Sequence, residues 1–335
     1  MSSGRSRTAN CRSYPPLRRI LGATFNGSDV TAQTLTEILI NGISRGAMYA
    51  LVALGYTMVY GVLGMINFAH GEIFMIGMFA CVYALGAFSL IWGNQVFLNL
   101  GLAILVAMIF SAAYGYANER IAYRRLRKAH VLAPLTSAIG ISTFLQYFIF
   151  LNVSKDTVNF PRYYSDWLTN NHVHLGSAEV TYLQLVILGL TLVIMAGLFY
   201  LIHWTRLGIA LRATAQDQLM ASLVGIPVNK IIAFTFILGS ALAAIAGVMF
   251  SMYNNVLVFD AGYRVGLKAF TAAILGGIGN IPGAVLGAMI IGLTEALTTL
   301  QFGSQWNDVT TFGVLMLVLL LRPRGLLGER VADKV

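Results

Sequence analysis

Six residues place polar or backbone-breaking chemistry inside otherwise apolar stretches: Asn67, His70, Glu72, Asn280, Pro282 and Glu295. A polar or ionisable group in such a run is costly, and it marks either a pathway or a structural pair. Glu72 admits both readings. It can touch something that passes through, or it can sit in the first turn of a helix near the cytoplasmic end, where the helix dipole stabilises a carboxylate. The second reading is preferred. His70, beside Gly71, can cap a break, and Glu295 can pair with a neighbouring helix. Glu37 and Arg45 suggest an ion relay, but both lie early in the first expected helix, where long side chains reach the surface. His172 and His174 share a loop and fit ordinary loop polarity better than a metal site. Cys11 and Cys81 form neither a disulfide framework nor a CxxC pair. There is no Ser/His/Asp, Cys/His or HExxH constellation. Nor is there a G-x-x-x-x-G-K-[ST] loop to cradle ATP phosphates. No enzyme, cofactor or metal is expected, and energy for any work must come from elsewhere.

The elements that position these groups follow from composition. Of 335 residues, 57% are hydrophobic and only 10% charged, with a mean hydropathy of +0.74. A soluble domain carries about a quarter charged residues. Charge-free runs cover 46–71, 73–118, 129–154, 180–205, 231–259 and 269–294. A helix needs roughly 20 apolar residues to cross the bilayer, and only helices or closed barrels satisfy their backbone there. The alternation of barrel strands is missing. The expected fold is all-α: a polytopic transmembrane protein of about eight or nine helices, some broken or re-entrant. Residues 1–33 read as a polar tail without a signal-peptide core, 34–322 as the transmembrane domain and 323–335 as a cytoplasmic tail.

Charge sets the orientation. The net charge is +9, but the basic residues lie between apolar runs, which argues against a nucleic-acid surface. Segments 118–130, 204–230 and the tail from 322 hold most of them, among them Arg120, Arg124, Arg125, Arg127, Lys128, Arg206 and Arg212. Segments 152–179 and 254–268 hold only Lys155, Arg162, Arg264 and Lys268. The first set is therefore cytoplasmic. The arginines before residue 20 favour an inner N-terminus, whereas three crossings before residue 118 favour an outer one, and the outer one is preferred.

Two stretches read alike. Leu63-Gly-Met-Ile-Asn-Phe-Ala-His-Gly71 and Leu275-Gly-Gly-Ile-Gly-Asn-Ile-Pro-Gly283 share L-G-x-I-x-x-x-x-G, each inside a long apolar run. Paired interruptions of this kind accompany discontinuous helices in transporters built from repeats. Chance matching of Gly, Ile and Leu is an equal alternative. Between crossings, Leu207–Val224 reads as one cytoplasmic helix ended by Gly225 and Pro227. That helix is either an interfacial linker or a docking element for another subunit.

"GYTMVYGVLGMINFAHGEIFMIG" (55–77), "RATAQDQLMASLVGIPVNKIIAFTFILGSALAAIAGVM" (212–249) and "GLKAFTAAILGGIGNIPGAVLGAMIIGLTEAL" (266–297) resemble a permease subunit of branched-chain amino-acid ABC importers, the H-type more than the M-type. The likeness runs over about 35–330. It implies alternating-access import of leucine, isoleucine and valine across a bacterial inner membrane. The implied partners are ABC ATPase subunits, a second related permease and a periplasmic substrate-binding protein. ABC permeases for urea, amides or other amino acids are the nearest competing reading, and a gradient-driven carrier is a further one. In the resemblance, Arg212, Asp217, Ala221, Ser222, Gly225 and Pro227 belong to the ATPase-coupling segment. Leu219 and Met220 stand where the family's coupling motif has Glu and Ala.

Overall fold

The computed structural model describes residues 32–93, 95–127, 129–130, 132–175 and 178–328. Most of the expected N-terminal tail, and residues 329–335, lie outside them. The long helices are α1 (Ala32–Leu63), α2 (His70–Trp92), α3 (Val96–Asn118) and α4 (Leu132–Asn152). α3 continues through a π-helical turn (Glu119–Tyr123) and a last turn (Arg124–Leu126). The outer loop expected over 152–179 is structured. It holds β1 (Val158–Asn159), α5 (Arg162–Asn170) and a hairpin of β2 (His172–Leu175) and β3 (Ala178–Thr181). Then come α6 (Tyr182–Trp204), α7 (Arg206–Gln216), α8 (Gln218–Leu223) and α9 (Val228–Asn254). β4 (Val256–Leu257) pairs antiparallel with β1. The chain ends with α10 (Ala261–Gly276), α11 (Ile281–Gln301) and α12 (Asn307–Leu321).

Eight helical stretches among the described residues are long and apolar enough to cross a bilayer. α10 adds a ninth, shorter pass. Its 16 residues span roughly 24 Å at 1.5 Å per residue, and it is packed among α1, α2, α11 and α12. Counting α10 as a pass gives nine among the described residues, and the positive-inside rule then assigns residue 32 to the outer side. The polar loop expected over 254–268 is thus corrected: from Ala261 it is helix, and Lys268 lies within it.

Lipid offers no hydrophobic drive between helices, so close packing of small residues holds the bundle together. α1 is central and almost wholly covered, whereas α4, α6 and α12 are covered on one side only. α1 meets α11 through Gly42 and Gly46, which lie against Ala288, Met289, Leu293 and Ala296. Gly77 of α2 lies on the backbone of Ala244 in α9, and Gly247 of α9 on the Phe74 carbonyl of α2. Ala243, Ala244 and Ala246 are fully buried along that seam.

Gly292 rests against the Gly42 carbonyl and the Gly46 backbone. Gly292→Val is expected to destabilise the protein by about 1–3 kcal/mol or more through overpacking. Gly86→Ala, where nothing lies within 4 Å, should raise stability by roughly 0.5–1 kcal/mol. Thermal unfolding in mild detergent checks both.

Candidate functional site

The first break begins where α1 ends. Gly64 has φ +68°, and the chain then runs without helix to His70. The His70 ring fills the space beside Gly55, eight residues before the end of α1. At 1.5 Å per residue, α2 therefore starts about 12 Å above the end of α1, inside the bundle. Asn67 shapes this segment. Its Oδ1 accepts from the Ala69 N–H at 3.1 Å and from the Tyr123 hydroxyl at 3.0 Å. His70 stands edge-on to Tyr56, with ring centroids 4.8 Å apart. Gly71 lies against Gly262 and Gly266 of α10.

Glu72 occupies the first turn of α2, as expected, but not at the cytoplasmic end. It is fully buried, and its Oε1 accepts from the Ser142 hydroxyl of α4 at 3.0 Å. Its Oε2, together with His70 Nε2 and Asn67 Nδ2, has no hydrogen-bond partner among the described residues. Of the path candidates read from the sequence, Asn67, His70 and Glu72 lie together at this break, and Asn280, Pro282 and Glu295 do not. Sequence reasoning missed Ser142, Tyr123 and the glycines of α10. Gly262-Tyr-Arg-Val-Gly266 has the small-xxx-small spacing that admits close helix approach, a signal that was available.

The second break, Gly277–Asn280, is a cytoplasmic cap. Asn280 Oδ1 accepts from the Gly283 N–H at 3.0 Å, and its Nδ2 donates to the Leu327 carbonyl at 2.9 Å. Pro282 stands in the first turn of α11, where no amide donor is needed. The orphan carbonyls of Leu275 and Gly276 accept from Leu326 and Leu327 N–H, both at 2.9 Å. Gly277 (φ +107°) leaves no room for a side chain beside Gly328. Gly61, just before the first break, reaches Gly279, so the two breaks adjoin. Asn280 and Pro282 build this cap, away from Glu72. Glu295 does pair with a neighbouring helix. Lys268 Nζ lies 2.6 Å from its Oε1 and 3.0 Å from Asp308, and Tyr49 donates to Oε2 at 2.8 Å.

The 204–230 segment forms two helices rather than one. Asp217 breaks it with extended backbone (φ −154°, ψ 109°), and its Oδ1 caps α8 through Leu219 and Met220 N–H at 2.8 and 3.0 Å. Gly225 (φ +86°) closes α8: its N–H donates to Ser222, and Ile226 N–H donates to Ala221. Gly225 is the cap residue expected from the sequence, and the structure adds that the cap is double-bonded. Ala221 is buried, and the Ser222 hydroxyl folds back on the Leu219 carbonyl. Pro227 opens α9. Arg212 reaches back to the Ile202 carbonyl, and Gln218 Nε2 donates to the Val62 carbonyl at 3.1 Å. α8 is thereby tied to the last turn of α1, two residues before the first break. Nearby, Arg124 and Arg127 both pair with the buried Glu119, and Arg127 also donates to Asn229 at 2.8 Å. Burial lowers the Arg127 pKa, with Glu119 opposing.

Comparison with known proteins bears directly on this arrangement. Residues 38–320 match the family described as "Branched-chain amino acid transport system / permease component". The chain belongs to this family. BraD of Pseudomonas aeruginosa, a high-affinity branched-chain amino acid transport system permease protein, is 44% identical over 297 residues, covering 89% of this chain and 97% of BraD. LivH of Escherichia coli K12, described in the same words, is 42% identical and covers 89% and 96%. A probable LivH from Methanocaldococcus jannaschii is 26% identical over 87% and 92%. Among solved structures, PsaBC from Streptococcus pneumoniae in complex with a Fab overlays at TM-score 0.45 and 14% identity, covering 86% of this chain and 92% of that one, too distant to bear on the site.

In this permease, the Lys268–Glu295 pair joins α10 to α11 within the membrane. Lys268→Met strands Glu295 and is expected to destabilise the protein by about 3–5 kcal/mol. Adding Glu295→Gln should recover part of the loss, because the uncompensated buried charge is gone. Unfolding midpoints of the single and double variants check this.

Proposed function

We propose that this chain is the membrane-spanning permease subunit of an ABC importer that carries leucine, isoleucine and valine into the cytoplasm across the inner membrane. The observation that carries the reading is the 42–44% identity along nearly the whole chain to two permeases named for that transport. ATP hydrolysis belongs to partner ATPase subunits. A second related permease and an external binding protein complete the assembly.

The coupling geometry supports this reading. Leu219, Met220, Leu223 and Val224 of the short α8 segment are each more than half exposed on the cytoplasmic side. An apolar cluster in water is a docking surface, and the groove of an ATPase subunit is the occupant proposed here. The Gln218–Val62 bond links α8 to the end of α1 and so to the first break. Closure of the ATPase pair then moves α8, α1 and the 64–69 segment together, which exposes the path to one side at a time. An importer of this kind needs no tight site in the membrane, because the external protein supplies selectivity.

Two outcomes follow. Leu223→Asp should leave insertion intact and reduce ATP-driven leucine uptake about tenfold or more, since a charge in an apolar interface core is strongly disfavoured. Gly225→Pro, which removes the N–H bonded to Ser222 and cannot adopt positive φ, should uncouple ATP hydrolysis from uptake. Vesicle uptake of labelled leucine against an ATPase assay checks both. Gradient-driven accumulation by the chain alone, or uptake of urea but not leucine, would contradict the reading.

A further inference from the structure

Three carboxylates lie buried among the described residues: Glu119 is paired with Arg124 and Arg127, and the other two, Glu295 and Glu72, are treated differently. Glu295 has a lysine, a tyrosine hydroxyl and the Thr311 hydroxyl. Glu72 has one serine hydroxyl and no cation among the described residues. Asp260, close enough to act on it electrostatically, is held by Arg264 at 2.6 Å and offers no compensation. A buried, half-satisfied carboxyl is destabilising, so it calls for a partner that arrives during function.

The surroundings say what kind of partner. A cavity of about 250 Å³ opens beside Glu72 between α1, α4 and α10. Its walls include Tyr56, Phe68, Ile139, Ser142, Gly262 and Leu267. Two of these are the residues that cover Glu72: Ser142 is bonded to Oε1, and Gly262 lies against Oε2 with no Cβ between. The volume is just below the range of about 300–1,000 Å³ typical of ligand pockets. The lining joins its aromatic and aliphatic side chains to the polar Ser142, Thr143 and Gln146, with Glu72 directly behind Ser142 and Gly262, which suits a small molecule with one cationic and one branched apolar end. α4, which carries Ile139 and Ser142, meets the rest of the chain chiefly through α2 and the π-helical turn, so it is the wall that can yield.

We propose that Glu72 is the counter-ion for the α-ammonium group of the amino acid in transit, received in the cavity between α1, α4 and α10 when Ser142 releases the carboxylate. The inference rests on the proposed amino-acid transport and adds to it the residue that meets the amine. Selectivity at this point is for charge, and the cavity wall accepts any of the three aliphatic side chains.

The test is ATP-driven uptake of labelled leucine by the complete transporter in vesicles. Glu72→Gln keeps the volume and the bond to Ser142 but removes the charge. It is expected to cut uptake on the order of tenfold or more, as loss of one partner of a buried charge pair does. Glu72→Asp should retain more than Glu72→Gln. A second measurement needs no variant: labelling of Glu72 in the wild-type complex by dicyclohexylcarbodiimide, an apolar reagent for buried carboxyls, should fall several-fold with saturating leucine. Uptake by an assembled Glu72→Gln complex within about twofold of wild type, or labelling indifferent to leucine, overturns the inference. Failure of the wild-type complex to transport leucine, isoleucine or valine would instead overturn the function proposed above.

Discussion

The rest of this structure depends on one constraint: a peptide group inside a membrane must find a partner within the protein. The chain breaks helical continuity at 64–69 and at 277–280, and each break is satisfied differently. The first is enclosed, with Asn67 turned back on Ala69 and held by Tyr123. The second lies at the cytoplasmic face, where the C-terminal segment supplies the donors for Leu275 and Gly276. Glycines bring the surrounding helices close enough for this. Gly71 on Gly262 and Gly266 seals the first break, and Gly276 on Gly283 closes the second.

From this packing follows the contrast between the buried acids. Glu295 ties three helices through Lys268, Tyr49 and Asp308 in a network whose members are satisfied. Glu72 sits at a helix start in the interior, where the dipole favours a negative charge but side chains supply only one hydrogen bond. Polar partners are thus complete around Glu295 and incomplete around the start of α2. The incomplete region is also the one wired to the cytoplasmic surface, through Val62, Gln218 and α8.

Much of this was legible in the sequence because lipid imposes strong, local rules. Run length marked the long apolar helices, and lysine and arginine placement assigns them an orientation. The paired L-G-x-I-x-x-x-x-G segments marked both breaks, and Gly225 marked the end of α8. What failed was reading charge as surface. Asp260, Arg264 and Lys268 made 254–268 look like a loop, because the partner of Lys268 lies 27 residues away in Glu295, beyond any local pattern. Asp217 was read as part of one helix, although an aspartate is also a strong N-cap. The depth of Glu72 was invisible, since nothing local says that an extended segment climbs back into the bundle before the next helix starts. The small strands and α5 on the outer side are short pairings set by contacts with distant residues, such as Val158 with Leu257.

Side-specific thiol labelling tests the account most directly. In a variant with Cys11→Ser and Cys81→Ala, single cysteines replace Leu219 in α8, Trp167 in α5 and Asn67 in the first break. A membrane-impermeant maleimide should label position 219 only from the cytoplasmic side and position 167 only from the outer side. Position 67 should stay unlabelled in the resting protein and become reactive only while the complete transporter is turning over. Labelling of 219 from outside, or of 67 as readily at rest as during transport, would contradict the enclosed, cytoplasmically coupled break on which the rest depends.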